Sequence, residues 1–160
     1  MIHVQPLDIV VVDGHLYNPL HLAIMWRGLD KGSHCLTVKD TDGAVWSPQA
    51  GGILDKHLSD YICRGVSVHR YVGQFDREEL LRQACKVQQM CKGYDVRAWL
   101  GFATGLKSLS NDEERWTCAE LPYWLFHGNG YRLTPVDEAF IYPRFFRFSP
   151  LFQEVWRGRL

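Results

Sequence analysis

The run Thr117-Cys118-Ala119-Glu120 carries the clearest chemical signal in the chain. Thr117 has the type and place of a helix N-cap, and Glu120, three residues on, completes a capping box by reaching back to the cap's own N–H. This pattern predicts Cys118 at the first helical position. There the positive end of the helix dipole favours a thiolate, and an approaching histidine would lower the thiol pKa further from its ordinary value of roughly 8.5.

A cysteine nucleophile also needs a base and a polar group that orients the base. Of the seven histidines, His34 is the best placed, because it opens a strand after the turn-like Gly32-Ser33 and can project off the sheet end into a cleft. His21 falls in an apolar helical stretch and His69 in mid-strand. Cys35, Cys63, Cys85 and Cys91 are assigned to packing. Neither a CxxC pair nor His/Cys ligands at metal-binding spacing occur, so the sequence predicts neither a zinc site nor another cofactor.

These residues need a scaffold, and 160 residues with 46% hydrophobic content suit a single domain over residues 1–160. Eighteen basic residues balance eighteen acidic ones, which points away from nucleic acid. The C-terminal arginines Arg132, Arg144, Arg147, Arg157 and Arg159 read as a solvated edge over aromatic residues. No stretch approaches the length of a membrane span and the N-terminus lacks a signal-peptide pattern, so the expected location is the cytoplasm, or a virion if the gene is carried by a phage.

Asp8 to Val12 reads as a buried strand closed by Asp13-Gly14. Asn18-Pro19 caps a helix over Leu20 to Arg27. His34 to Val38 and Ala44 to Ser47 form a hairpin around Asp42-Gly43, and a short helical piece spans Asp55 to Tyr61. Val66 to Tyr71 alternates as a strand. Asp76 and Glu79 box the start of a helix carrying Leu80, Ala84 and Val87, with Gly93 as its stop. A helix around Trp99 covers Tyr94 to Thr104, Ser108 to Glu114 forms a loop, and a capped helix follows Thr134-Pro135. An extended aromatic segment runs from Phe140 to Phe148, and a last helix starts at Pro150. The expected class is α+β, a modest antiparallel sheet with helices packed to one side.

The order of these pieces, Asp8 to Val12, then Ser33-His34, then Tyr94-Asp95, then Cys118-Ala119-Glu120-Leu121, resembles the permuted branch of the NlpC-type papain-like cysteine hydrolases. That branch includes YiiX-like and lecithin-retinol acyltransferase-like proteins. The resemblance implies Cys118 as nucleophile, His34 as general base and a papain-like fold. It implies a peptidase or amidase acting on peptide amides, including cell-wall peptides, or on lipid acyl esters and amides by the same chemistry. It also implies Gln49 as the partner that orients His34, with Ser47 a poorer candidate on the neighbouring face, and Tyr94 as a cleft-lining residue that helps the Cys118 backbone N–H hold an oxyanion. Gln49-Ala50 stands where the family often has Glu-Ala, and Pro122 intrudes into the cysteine helix. Both departures favour the rival expectation of an inactive binding module or a component of a larger assembly.

Overall fold

The computed structural model describes residues 2–14, 17, 19–98, 115–131, 133 and 141–160. The Asn18 cap, most of the Trp99 helix, the Ser108 to Glu114 loop and the helix after Thr134-Pro135 lie outside the described residues. The described chain is α+β. Strands β1 (Ile9–Asp13), β2 (Gly32–Val38), β3 (Ala44–Gln49), β4 (Gly52–His57), β5 (Gly65–Tyr71) and β6 (Phe152–Arg159) form one sheet in the order β4-β3-β2-β1-β5-β6, with every neighbouring pair antiparallel. The helices are α1 (Pro19–Gly28), α2 (Arg77–Met90), α3 (Glu120–His127) and α4 (Arg144–Phe148).

β1 explains its own sequence. It is paired on both edges and buried on both faces, so it reads as an unbroken apolar run rather than an alternation. Ile9 and Val11 face the main core with Cys35 and Trp46, beneath Leu80 and Ala84 of α2, Leu121 and Phe126 of α3, and Phe146 of α4. Val10 and Val12 face a smaller core with Leu36, Val38, Val66 and Val68, covered by Val4 and Leu58. The buried Trp46 ring is satisfied by Gln88 of α2, whose Oε1 accepts its indole N–H at 2.8 Å.

Three expected elements differ. The stretch read as helical from Asp55 to Tyr61 begins as the end of β4, since a two-residue link at Ala50-Gly51 lets every residue from Gly52 to His57 pair with β3; Leu58–Tyr61 turns helically, as a 3₁₀ turn. The aromatic segment read as extended contains α4, and the helix expected from Pro150 is strand β6. β6 hides its alternation because Phe152 and Trp156, an even number of residues apart, belong to opposite cores. The register shift between Val68 and His69, opposite Val155, inserts the residue that turns one of them over.

The Asp76 cap accepts the Glu79 N–H at 3.0 Å, but the box is only half formed. Glu79 turns instead to Arg82 and Gln83, and the Asp76 N–H donates to the Tyr131 hydroxyl at 2.8 Å. Arg147 is not a solvated edge residue. Its side chain is 4% exposed and pairs with Asp13 at 2.6 Å and Asp30 at 2.7 Å. This ties α4 to the end of β1 and to the entrance of β2, where the candidate site lies.

Candidate active site

The Thr117-Glu120 box is formed: the Thr117 N–H donates to Glu120 Oε2 at 2.6 Å and the Glu120 N–H to Thr117 Oγ1 at 3.3 Å. It closes a turn ahead of the helix. Ala119 is the N-cap, already in the right-handed helical region, and its carbonyl accepts the first intrahelical bond from Tyr123 N–H at 3.3 Å. Cys118 therefore precedes the helix instead of occupying its first position, while still facing its positive end. The same offset explains how Pro122 is accommodated. It is the third helical residue, within the first turn, where a backbone N–H has no intrahelical partner to lose.

Cys118 is 3% exposed and lines a small cavity with Tyr94, Ala98 and Ile141. Its thiol is held well below the ordinary range, first by a hydrogen bond from the Cys35 thiol, then, against the cost of burial, by the charge and hydrogen bonding of His34 and by the Cys35 backbone N–H. The Cys35 thiol is correspondingly pushed up, by its own burial and then by its bond and charge interaction with Cys118. Cys35 is thus more than the packing residue expected from sequence, because it lies beside Cys118 and favours the thiolate there. Cys63 and Cys85, also read as packing, are exposed. The Tyr94 hydroxyl lies 3.9 Å from Cys118 Sγ, and burial raises its pKa, keeping it a neutral donor. It lines both the Cys118 cavity and the cleft at His34.

His34 lies in β2, but as its third residue: Gly32 and Ser33, read as turn-like, are already in the strand. Its Nε2 meets Ser47 Oγ at 2.9 Å, not Gln49. Gln49 stands one step back, its amide N–H donating to Ser47 Oγ at 3.0 Å, and the Tyr61 hydroxyl approaches the same oxygen at 3.1 Å. The correction has a geometric cause. β2 and β3 pair only at Thr37–Trp46 and Val38–Val45, and continuing that register would set Gln49 opposite His34. The ladder stops first. The strands splay, and Ser47, two residues nearer the paired end and on the same face as Gln49, receives the imidazole. Pro48, which has no N–H to donate, falls in the stretch of β3 that does not pair with β2, where it costs β2 nothing. The Tyr61 ring stacks against the imidazole at 6.5 Å between centroids.

The splayed strands open onto a cleft of about 400 Å³ lined by Val12, Ile24, Ser33, His34, Pro48, Gln49, Tyr61, Arg64, Tyr94 and Val96, among others. Ile24 and Tyr94 also border the Cys118 cavity, so the cavity at Cys118 and the cleft at His34 are neighbours with two lining residues in common. Glu120 borders the cavity too. Burial, and then the charges of Asp95 and Cys118, push its carboxyl up to about 7 against the stabilising Thr117 N–H. Sequence reading missed Tyr61, took Cys35 for packing and ranked Ser47 behind Gln49. Cys35 was signalled by its place beside His34, whereas the contacts of Ser47 and Tyr61 depend on where β2 and β3 diverge.

Among the described residues, no helix is long and apolar enough to cross a membrane. No known family profile matches the sequence, and no curated protein does. Among solved structures, the crystal structure of the metalloprotein YiiX from Escherichia coli O157:H7 is similar, with a TM-score of 0.68 over 99% of this chain and 100% of that one, at 15% identity. Among the described residues, no three His, Cys, Asp or Glu side chains stand together as a metal ion would require, so this site does not fit a metal centre. This α+β chain has the YiiX-like fold.

Proposed function

We propose that this protein is a cysteine hydrolase of the permuted NlpC-type, papain-like kind, with Cys118 as nucleophile and His34 as general base. The observation that carries the reading is the placing of a buried Cys118, 3.9 Å from the Tyr94 hydroxyl, in a small cavity that shares Ile24 and Tyr94 with the cleft lined by His34, with the thiol pKa lowered by its Cys35 bond and by the His34 charge. The chain order, with the histidine strand β2 before the cysteine turn and α3, agrees with the permuted arrangement.

The Cys118 thiolate attacks the carbonyl carbon of an amide or ester. A C–S bond forms, and the carbonyl electrons move to oxygen, which the Tyr94 hydroxyl is positioned to meet. Collapse of this intermediate breaks the C–N or C–O bond, and the leaving group takes its proton from the His34 imidazolium. The neutral imidazole then removes a proton from water, which attacks the thioester. The C–S bond breaks, the acid departs and the thiolate returns. Ser47 serves as a positioning residue that holds Nε2 and turns the other ring nitrogen toward the sulfur. A hydroxyl stabilises imidazolium less than a carboxylate does, and Cys35 compensates on the sulfur's side.

Peptide amides are the leading substrate class. The largely apolar lining of the cleft favours a second reading, an acyl amide or ester whose hydrocarbon chain lies along Val12, Ile24 and Val96. The test is iodoacetamide alkylation at pH 6 with peptide-level mass spectrometry. Cys118 is expected to react at least tenfold faster than exposed Cys63 and Cys85, and His34→Ala to abolish that advantage. If the two exposed thiols outrun Cys118, the protein is an inert module.

A further inference from the structure

The geometry points to Arg64 as the specificity-determining residue of the cleft, selecting substrates that carry a carboxylate or similar anionic group on an otherwise apolar body. This inference rests on the cysteine-hydrolase reading and deepens it. Arg64 immediately precedes β5, at the sheet end where β1 finishes and β2 begins, and it lines the same cleft as His34. Its guanidinium donates to the Asp13 carbonyl but makes no ion pair with any described residue. The Asp13 carboxylate is instead engaged by Arg147 at 2.6 Å. A cation held by a neutral backbone acceptor, beside an apolar surface, has its charge left to be answered by whatever enters.

A second observation points to a ligand. Ser33, also lining this cleft, is 2% exposed, and its hydroxyl has no hydrogen-bond partner among the described residues. A buried hydroxyl is rarely left this way, and a polar group of the substrate would satisfy it. An apolar body bearing an anion meets all three features, namely the hydrocarbon lining, the Arg64 charge and the Ser33 hydroxyl.

The probes are two iodoacetamides of equal length, iodoacetyl-aminohexanoate and its neutral carboxamide. Each alkylates Cys118 by forming a C–S bond with loss of iodide. In the wild type the anionic probe is expected to react about fivefold faster or more, the size of one partly exposed charge pair. Arg64→Gln should bring the ratio of the two rates toward one, and Arg64→Lys should retain much of it. Raising the salt concentration should lower the ratio in the unaltered protein, a measurement that needs no variant. A wild-type ratio near one, or a ratio that Arg64→Gln leaves intact, overturns the inference while leaving the hydrolase reading in place, provided Cys118 is still the selectively labelled thiol. Failure of both probes to single out Cys118 defeats the hydrolase reading and this inference with it.

Discussion

Replacing Ser47 by Ala isolates the step at which the imidazole is held. The substitution removes an oxygen 2.9 Å from His34 Nε2 and leaves the Gln49 amide and the Tyr61 hydroxyl without their shared partner. A hydrogen bond to a charged group contributes about 1.5–3 kcal/mol, and one pH unit corresponds to about 1.4 kcal/mol. If the bond favours imidazolium, its loss should raise the pH at which Cys118 becomes reactive by roughly 1 to 2 units. The assay is the rate of Cys118 alkylation by iodoacetamide across pH 5 to 9, with the inflection read for each protein. Gln49→Ala removes a donor to Ser47 but leaves the Ser47–His34 contact, so its inflection should move by less than about half a unit. A larger shift in Gln49→Ala than in Ser47→Ala, or no shift in Ser47→Ala, would refute the assignment of Ser47 as the residue that orients the base.

Four further outcomes follow from particular residues. Glu120 favours its neutral form in the fold, so its contribution to stability is complete below the ordinary carboxyl value of 4.5 and is lost as pH rises through about 7; Glu120→Gln should flatten this decline, worth at most about 3 kcal/mol, in urea melts at pH 5 and 8. His69 is fully buried, and burial lowers its pKa to about 4. Its contribution is therefore present above pH 6.5 and lost as pH falls toward 4, so His69→Gln should soften the acid limb of stability. Pro122→Ala should change stability by less than about 1 kcal/mol, and a gain near 3 kcal/mol would mean the proline lies inside the helix. Phe126→Ala, which strips a fully buried ring whose centroid lies 4.8 Å from that of Tyr71, should cost about 3–5 kcal/mol in denaturant midpoint experiments.

Local signals were legible where local physics decides them. The Asp76 cap and the apolar spacing of Leu80, Ala84 and Val87 placed α2, and the β-branched run of β1 announced a buried strand. The reciprocal bonds of Thr117 and Glu120 were readable for the same reason, since the two partners are three residues apart. β4 and β6 were not. Their segments have no strong intrinsic preference, and they became strands because β3 and β5 offered open edges along their length. For β6 the bulge opposite Val155 also scrambled the alternation that would have revealed it.

By itself the sequence determined which residues could do chemistry, Cys118 behind a capping box and His34 at a strand entrance, because residue type and short-range spacing dictate both. Only the tertiary structure decided what stands beside them. Cys35 reaches Cys118 because the fold carries the cysteine turn onto β2, and Ser47 holds His34 because β2 and β3 diverge beyond their last paired residues. Those contacts join residues up to 83 positions apart in the chain numbering (Cys35 to Cys118). Only assembly of the sheet and the packing of its helices bring such residues together, and no local pattern records that.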